Sequence, residues 1–286
     1  MIGYTFFDYK GVQWKRYQNV IMPLSLPCRG LYLRFIDAIY LLFVKRSLLI
    51  RWEEGFDSLL NSEWWHVVKD EEEDIQRLSG NTRSKIRRGG KVFYAAKCSR
   101  QYILDNGYSV YLSSFGRYEG FEKPLSLRQF RDSIESLPKE TEFWGVFEKE
   151  AGRLVSFSEN LVLDDSCFYV SLWFEPESLR KYCGYLLIHE MNKYYLNVKK
   201  LRYVSDGARS VRHKTNIHDF LEQKFLFRKA YSKLRVVYFP GFYLFISILY
   251  PFRGHLPDSS FGFIEKISVL LEQERIRREC LKLDKG

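Results

Sequence analysis

The sequence predicts an α+β fold, and three observations support it. Residues 142–174 read as a meander: Glu142–Glu148, Arg153–Leu163 and Cys167–Phe174 are extended and separated by turns at Ala151-Gly152 and Asp164-Asp165. Helical spacing lies on either side, from Ser126 to Leu137 with Ser126 as cap, and from Ser178 to Leu196 behind Pro176. Tyr203–Tyr231 then runs as strand, polar loop, short helix and strand.

In chain order, the first thirty residues are aromatic and basic, with turns at Pro23 and Pro27. So many aromatics are seldom left in water, so an arm packed on the body is expected. Leu31–Val44 has helical spacing, Ser47–Trp52 reads as a strand and Trp64–Val68 as another extended segment. Asp70–Asp74 is acidic and suits a helix start, and the basic run Arg83–Lys91 falls near that helix's end. Tyr108–Leu112 alternates like a strand. Asp258–Asp284 is a capped helix whose apolar stripe is Phe261, Phe263, Ile264, Ile267, Leu270 and Leu271, with Arg275, Arg277, Arg278 and Lys282 later on.

The chain has 286 residues, 46% of them hydrophobic and 17% aromatic, which is ample for a packed core. A net charge of +10 fits nucleic acid, an anionic membrane surface or a phosphate-bearing substrate, or solubility alone. Five scattered cysteines with no CxxC pair argue against a disulfide framework or zinc site and for a reducing compartment. Charges break the apolar stretch Leu31–Ile50, and Val236–Tyr250 is short for a span and contains Pro240-Gly241. A buried strand followed by a core helix is expected there, with a place at a membrane surface as the other reading. The expected location is cytoplasmic, with peripheral contact at the inner membrane left open. No phosphate-binding P-loop or nucleophile elbow is present.

The stretch Tyr203–Tyr231 holds the best candidates for chemistry. Asp206 ends a strand before Gly207, so it either handles a proton of an attacking amine or bonds its own turn. His213 and His218 lie five apart, and either can serve as general base, because histidine titrates near working pH. Arg209, Arg212 and Lys214 nearby favour the neutral base form. Arg180, Lys181, Gly184 and Tyr185 at a helix start, with Lys224, are candidates for a cofactor's phosphates. Arg83, Lys85, Arg87 and Arg88, with Arg209, make an anion patch for substrate or polyanion; in both sets, solvated cations are the alternative. Trp144 and Trp173 read as core aromatics rather than a substrate platform, and His189 reads as a core or interface residue.

The order of these elements resembles the second lobe of FemAB-like proteins of the GNAT acyltransferase superfamily. The resemblance rests on Arg83-Ser84-Lys85-Ile86-Arg87-Arg88, on Phe143-Trp144-Gly145-Val146-Phe147 with Gly152-Arg153-Leu154-Val155, and on Trp173-Phe174-Glu175-Pro176 leading to Tyr185–Met191. It is completed by Ser205-Asp206-Gly207 with Phe220 and Lys224-Phe225-Leu226-Phe227-Arg228, and it covers Ser47 to Tyr238. It implies a GNAT-type mixed sheet flanked by helices, in two GNAT-like lobes of which the first is divergent. The expected segments are 1–46 (arm and helix), 47–137 (first lobe), 138–240 (second lobe) and 241–286 (apolar segment and basic helix). Two departures stand out in Lys181-Tyr182-Cys183-Gly184-Tyr185-Leu186, where such lobes carry (Q/R)-x-x-G-x-(G/A): Lys181 is in first place and Leu186 in last. They count against ordinary acetyl-CoA binding. A third is Leu226, where the family often has glycine.

What the resemblance implies is an N-acyltransferase that moves an acyl group onto an amine of an amino sugar or other cell-envelope precursor. The donor expected is acyl-CoA, used as co-substrate, with aminoacyl-tRNA as the alternative and no metal. A non-catalytic protein that binds polyanion or a membrane surface through Arg83–Lys91 is the reading from another class.

Overall fold

The computed structural model describes residues 5–17, 19–24, 30–115, 124–211, 216–255 and 262–284. The described chain opens with β1 (Thr5–Tyr9), β2 (Val12–Tyr17), β3 (Val20–Pro23), α1 (Phe35–Val44), β4 (Leu49–Ser58) and β5 (Trp64–Lys69). It continues with α2 (Gly80–Val92), β6 (Phe93–Cys98), α3 (Arg100–Phe115), α4 (Leu127–Glu135), β7 (Thr141–Glu148), β8 (Leu154–Leu163) and β9 (Ser166–Phe174). The last part holds α5 (Pro176–Arg180), α6 (Cys183–Asn192), β10 (Tyr203–Ala208), α7 (Asn216–Phe225), β11 (Arg228–Tyr238), α8 (Pro240–Leu249) and α9 (Gly262–Lys282). Among the described residues, contacts divide the chain into two units: 67–207 with 216–228, and 5–66 with 208–211 and 229–284.

In the first unit the strands run β5, β10, β9, β8, β7, β6, with the second half of β5 belonging to it. β6–β9 are antiparallel in sequence order, and β10 joins β9 in parallel, so this sheet is mixed and includes the expected meander. The alternation of β8 decides what lies on each face. Phe157 points to α3 and α4, where Ile103, Val110, Phe130 and Ile134 close a core. Ser158 points the other way and donates to the Met191 sulfur of α6 at 3.1 Å. Burying an aromatic such as Phe130 or Phe157 stabilises the unit by about 1.5–3 kcal/mol each.

The second unit has strand order β1, β2, β3, β4, β11, also mixed: β3 and β4 are parallel and the other pairs antiparallel. The aromatic arm is thus the edge of a sheet. Trp14, Ile21, Ile50 and Trp52 meet Ala38, Leu41 and Leu42 of α1. Leu49, Leu234 and Val236 meet Leu271, Ile276 and Cys280 of α9.

Several local expectations are corrected. Tyr108–Leu112 is helical: Ile103, Leu104, Gly107, Val110, Tyr111 and Ser114 are the buried positions of α3, a 3.6-residue stripe that overrides the short alternation. Asp70–Asp74 starts no α-helix, because its charges are drawn into separate pairs: Asp70 with Arg228, Glu71 with Arg77, Glu72 with Lys200 and Glu73 with Lys69. Ser79 caps α2 instead, accepting from the Thr82 N–H. The helix expected over 178–196 breaks into α5 and α6 at Tyr182, whose backbone is left-handed (φ 70°), and ends in a π-helical turn over Lys193–Val198. The basic end of α9 is neutralised locally, since Arg277 and Arg278 both bind the buried Glu274 and Lys282 binds Glu279. α8 is no core helix: Ile246 is its one buried residue.

Candidate active site

Two irregularities open the first unit's sheet beside its parallel pair. β10 stays in register with β9 for three residues, Tyr203↔Ser166 to Ser205↔Phe168, after which the two strands part. Opposite, β8 and β9 pair Asn160 with Tyr169 and Glu159 with Ser171, so Val170 is an extra, bulged residue of β9. A bulge of this kind commonly lies next to an active site, where it re-aims side chains and ends pairing. Parallel strands that separate toward their carboxyl ends leave a crevice where ligands of open sheets bind. Gly207 follows on β10 at φ 89°, a conformation L side chains rarely adopt, and a Cβ there would meet nothing within 4 Å.

Asp206 sits where β10 leaves β9. Its side chain faces α7, with the Nε2 of His218 3.3 Å from Oδ2. The bond to the local turn comes from Ser205, whose Oγ accepts from the Gly207 N–H at 3.0 Å. Asp206 is thereby free of the turn role that its sequence also suggested. Burial pushes its carboxyl above the usual range, and the hydrogen bond and charge of His218 offset part of that rise. A carboxylate so placed accepts a proton more readily than an exposed one, and the imidazole beside it orients that carboxylate or shares the proton.

A second set of polar residues lies under the same strands. Glu73, fully buried, meets His189 Nδ1 at 2.8 Å, accepts from the Asn192 amide at 3.4 Å and lies 3.4 Å from the Lys69 ammonium. Lys69 also donates to the Phe225 carbonyl, and the Tyr169 hydroxyl donates to Asn192 Oδ1 at 2.8 Å. Burial holds the Tyr169 phenol far above its ordinary range, so it stays a neutral donor. This network ties β5, β9, α6 and the end of α7 together, and it places His189 in the core as expected.

On the opposite face, Glu159 lies beside the bulge and accepts from the Trp173 indole N–H at 3.1 Å. Burial raises its carboxyl above the usual range. Trp173 packs edge-on against Tyr111 with ring centres 4.9 Å apart. Sequence reasoning missed Glu159, Glu73, Lys69 and Tyr169. The signal for Glu159 was present: one acid in the middle of a buried strand, Leu154–Leu163. Glu73 was hidden inside an acidic run that looked solvated.

The candidate phosphate-binding segment and the candidate anion patch become neighbours. Gly89 of α2 packs on the residue before α6, and a Cβ at Gly89 would come within 2.8 Å of the Tyr182 carbonyl oxygen. That closeness lays Lys85 and Arg88 over the start of α6. Lys85 donates to the Tyr185 hydroxyl at 3.2 Å, and its ammonium is 5.0 Å from the Tyr185 ring. Arg88 lies 4.7 Å above the Tyr182 ring. Tyr185 also meets Phe220 and Phe225 of α7, at 4.9 and 6.0 Å.

The other candidates are placed differently. Arg83 donates to the Gln76 carbonyl, and Arg87 is exposed on α2. Arg180 is exposed and paired with Glu177 at 2.7 Å, and Lys181 is exposed beside it. Gly184 is buried, with room for nothing larger than a hydrogen before Leu179 and Phe174 are crowded. Leu186, in the position of the missing small residue, packs against Gly89. Lys224 is half-buried in the last turn of α7. Arg209 belongs to the other unit, where it donates to the backbone and carboxylate of Glu63. His213 lies outside the described residues. Among the described residues no group of three or more His, Cys, Asp or Glu side chains is placed to hold a metal ion.

The fold built from these elements is GNAT-type and FemAB-like. The chain is similar to FemX, with a TM-score of 0.53 at 10% identity over 80% of this chain and 86% of that one. It is similar to L-PGS from Bacillus licheniformis, with a TM-score of 0.53 at 10% identity over 97% of this chain and 90% of the other. The C-terminal domain of a putative lysylphosphatidylglycerol synthetase from Agrobacterium fabrum gives 0.50 at 8% identity, covering 80% and 83%. No protein-family model and no curated protein matches the sequence.

Proposed function

We propose that the protein is a transferase that moves an acyl group from acyl-CoA onto an amine, at the crevice where β9 and β10 part. The observation that carries this reading is the pair Asp206–His218 at that parting, opposite a bulge at Val170 and next to a helix start overlaid by Lys85 and Arg88. Acyl transfer to an amine asks little of a protein beyond alignment, donors for the developing oxyanion and a base for the leaving proton. In this reading Asp206, with His218, takes the proton from the attacking amine, which lets its nitrogen bond to the acyl carbon as the donor's thiolate departs. Lys85, Arg88 and Tyr185 hold the donor's phosphates, with Lys181 and Lys224 assisting. The amine belongs to an amino sugar or another cell-envelope precursor.

A second donor, aminoacyl-tRNA, is favoured by one observation. Arg87, Arg88 and Lys91 are exposed along α2, so phosphodiester contacts can extend beyond a single pyrophosphate. Release of thiol from a panel of acyl-CoAs, and of amino acid from charged tRNA, measured with amino sugars and amine-bearing peptides, tests both. Turnover with one donor class, reduced about 10²–10⁴-fold in Asp206→Asn, is expected for a positioned base. Turnover unchanged by Asp206→Asn overturns the assignment. Absence of turnover together with polyanion binding lost in Arg87→Glu/Arg88→Glu supports a non-catalytic protein.

A further inference from the structure

We propose that the second unit docks on an anionic membrane surface through the outward faces of α1 and α8. Both helices are apolar on the side turned away from the core. α1 buries Ala38, Leu41 and Leu42 yet exposes Phe35, Ile36, Tyr40, Phe43 and Val44. α8 carries no charged residue, and Tyr243, Leu244, Phe245 and Ile248 are exposed, Leu244 to 63% and Ile248 to 59%. More than half of the exposed large apolar side chains among the described residues lie in 32–48 and 243–252. Soluble monomers rarely expose apolar surface in such a concentrated form without a use for it.

Topology brings the two helices to one end of the sheet. α1 finishes just before β4 begins, and β4 starts at Leu49 opposite Tyr238, the last residue of β11. α8 follows at Pro240. The Phe239 N–H donates to the Leu48 carbonyl at 2.8 Å, and the Phe43 and Phe239 rings meet with centres 4.8 Å apart. The end of α1 and the start of α8 are therefore one patch.

Charge selects the occupant. Arg34, Lys45, Arg46 and Arg253 flank the two helices, and the one acid in these segments, Asp37, is already held by Arg34 and Lys10. A second copy seated on this face in two-fold fashion would set those cations against their own kind. Anionic headgroups would neutralise them while the aromatic and aliphatic side chains enter the headgroup–acyl boundary. Each helix has ten residues, about 15 Å, and no described helix is long and apolar enough to cross a membrane. The helices lie in the interface plane. This inference does not depend on the transferase reading.

Sedimentation of the full chain with vesicles of phosphatidylcholine alone, or with one quarter phosphatidylglycerol, tests it. Binding at least about tenfold stronger to the anionic vesicles is expected from several cations at the interface. Ile36→Ser/Val44→Ser/Leu244→Ser/Ile248→Ser, all at exposed positions, should abolish binding while the unfolding midpoint and elution volume stay those of the parent chain. Arg46→Glu/Arg253→Glu should erase the preference for the anionic vesicles. Failure to bind either vesicle overturns the proposal, as does binding that the serine variant retains. A concentration-dependent dimer that the serine variant converts to monomer, without vesicle binding, shows an interface between copies instead.

Discussion

Among the described residues, Asp206 and Glu159 are the two buried carboxylates whose pKa values end above the ordinary value through burial, and they lie on strands that adjoin β9 from either side. A base of this kind works only when ionised, so turnover should rise with pH through a midpoint above the ordinary aspartate value of 3.8. If Asp206 is the base, Asp206→Asn removes that limb of the profile and Glu159→Gln leaves it in place; the pH dependence of kcat/KM for the two variants decides between them. The linkage has a definite sign. Asp206 has a raised folded pKa, so it withholds stability at neutral pH and returns it as the pH falls through that raised value. Asp206→Asn, which keeps a partner for His218, should therefore not lower the unfolding midpoint near pH 7 even as turnover falls. Asp206 was legible in the sequence because an acid before glycine at a strand end is a local signal. Its pairing with His218, and the burial of Glu73 by Lys69 and His189, depend on elements brought together by the fold, which no local pattern encodes.

At the scale of elements, two backbone positions explain how α6 and α7 are held. Leu226 follows α7 in the left-handed region, with φ 58°, where a glycine would sit without strain. Its side chain is exposed, so Leu226→Gly loses little burial and should stabilise the chain by about 0.5–1 kcal/mol, read as a higher denaturation midpoint. Gly89→Ala should do the reverse. Its Cβ would press within 2.8 Å of a backbone oxygen, which cannot swing away as a side chain does. A loss of about 1–3 kcal/mol is expected, together with weaker donor binding as Lys85 and Arg88 shift. The departure at Leu226 was visible by resemblance, and its geometry bears it out. The break between α5 and α6 was not, because Tyr182 is a residue type with no preference for left-handed backbone. The helix α3 was misread since Tyr108, Val110 and Leu112 mimic a strand over five residues, while the deciding stripe, Ile103 to Ser114, spans twelve. The meander needed no tertiary context, and its turns at Gly152 and Asp164 take left-handed backbone as turn residues do.

For the whole molecule, many of the carboxylates are held in ion pairs with Arg or Lys. Arg153 lowers the Glu175 carboxyl below its ordinary value, Arg275 does the same for Glu63, and Arg235 with Lys233 brings Asp284 down to about 2. Depressed carboxylates contribute stability that is present above their ordinary pKa and is lost as the pH falls through the folded values. Acid unfolding should thus begin below the ordinary carboxylate range and run toward pH 2, with 1 M salt weakening the exposed pairs; circular dichroism against pH measures it. In the proposed function, the cations exposed on α2 hold the donor. The most direct test is the unfolding midpoint of the purified chain with acyl-CoAs, free CoA or bulk tRNA, for the parent and for Lys85→Glu/Arg88→Glu. A ligand at about 100 times its dissociation constant adds about 2.7 kcal/mol, enough to raise the midpoint by several degrees. The account predicts such a rise with one donor class, lost in the double variant and kept in Asp206→Asn. No rise with any donor, or a rise that the double variant retains in full, contradicts it.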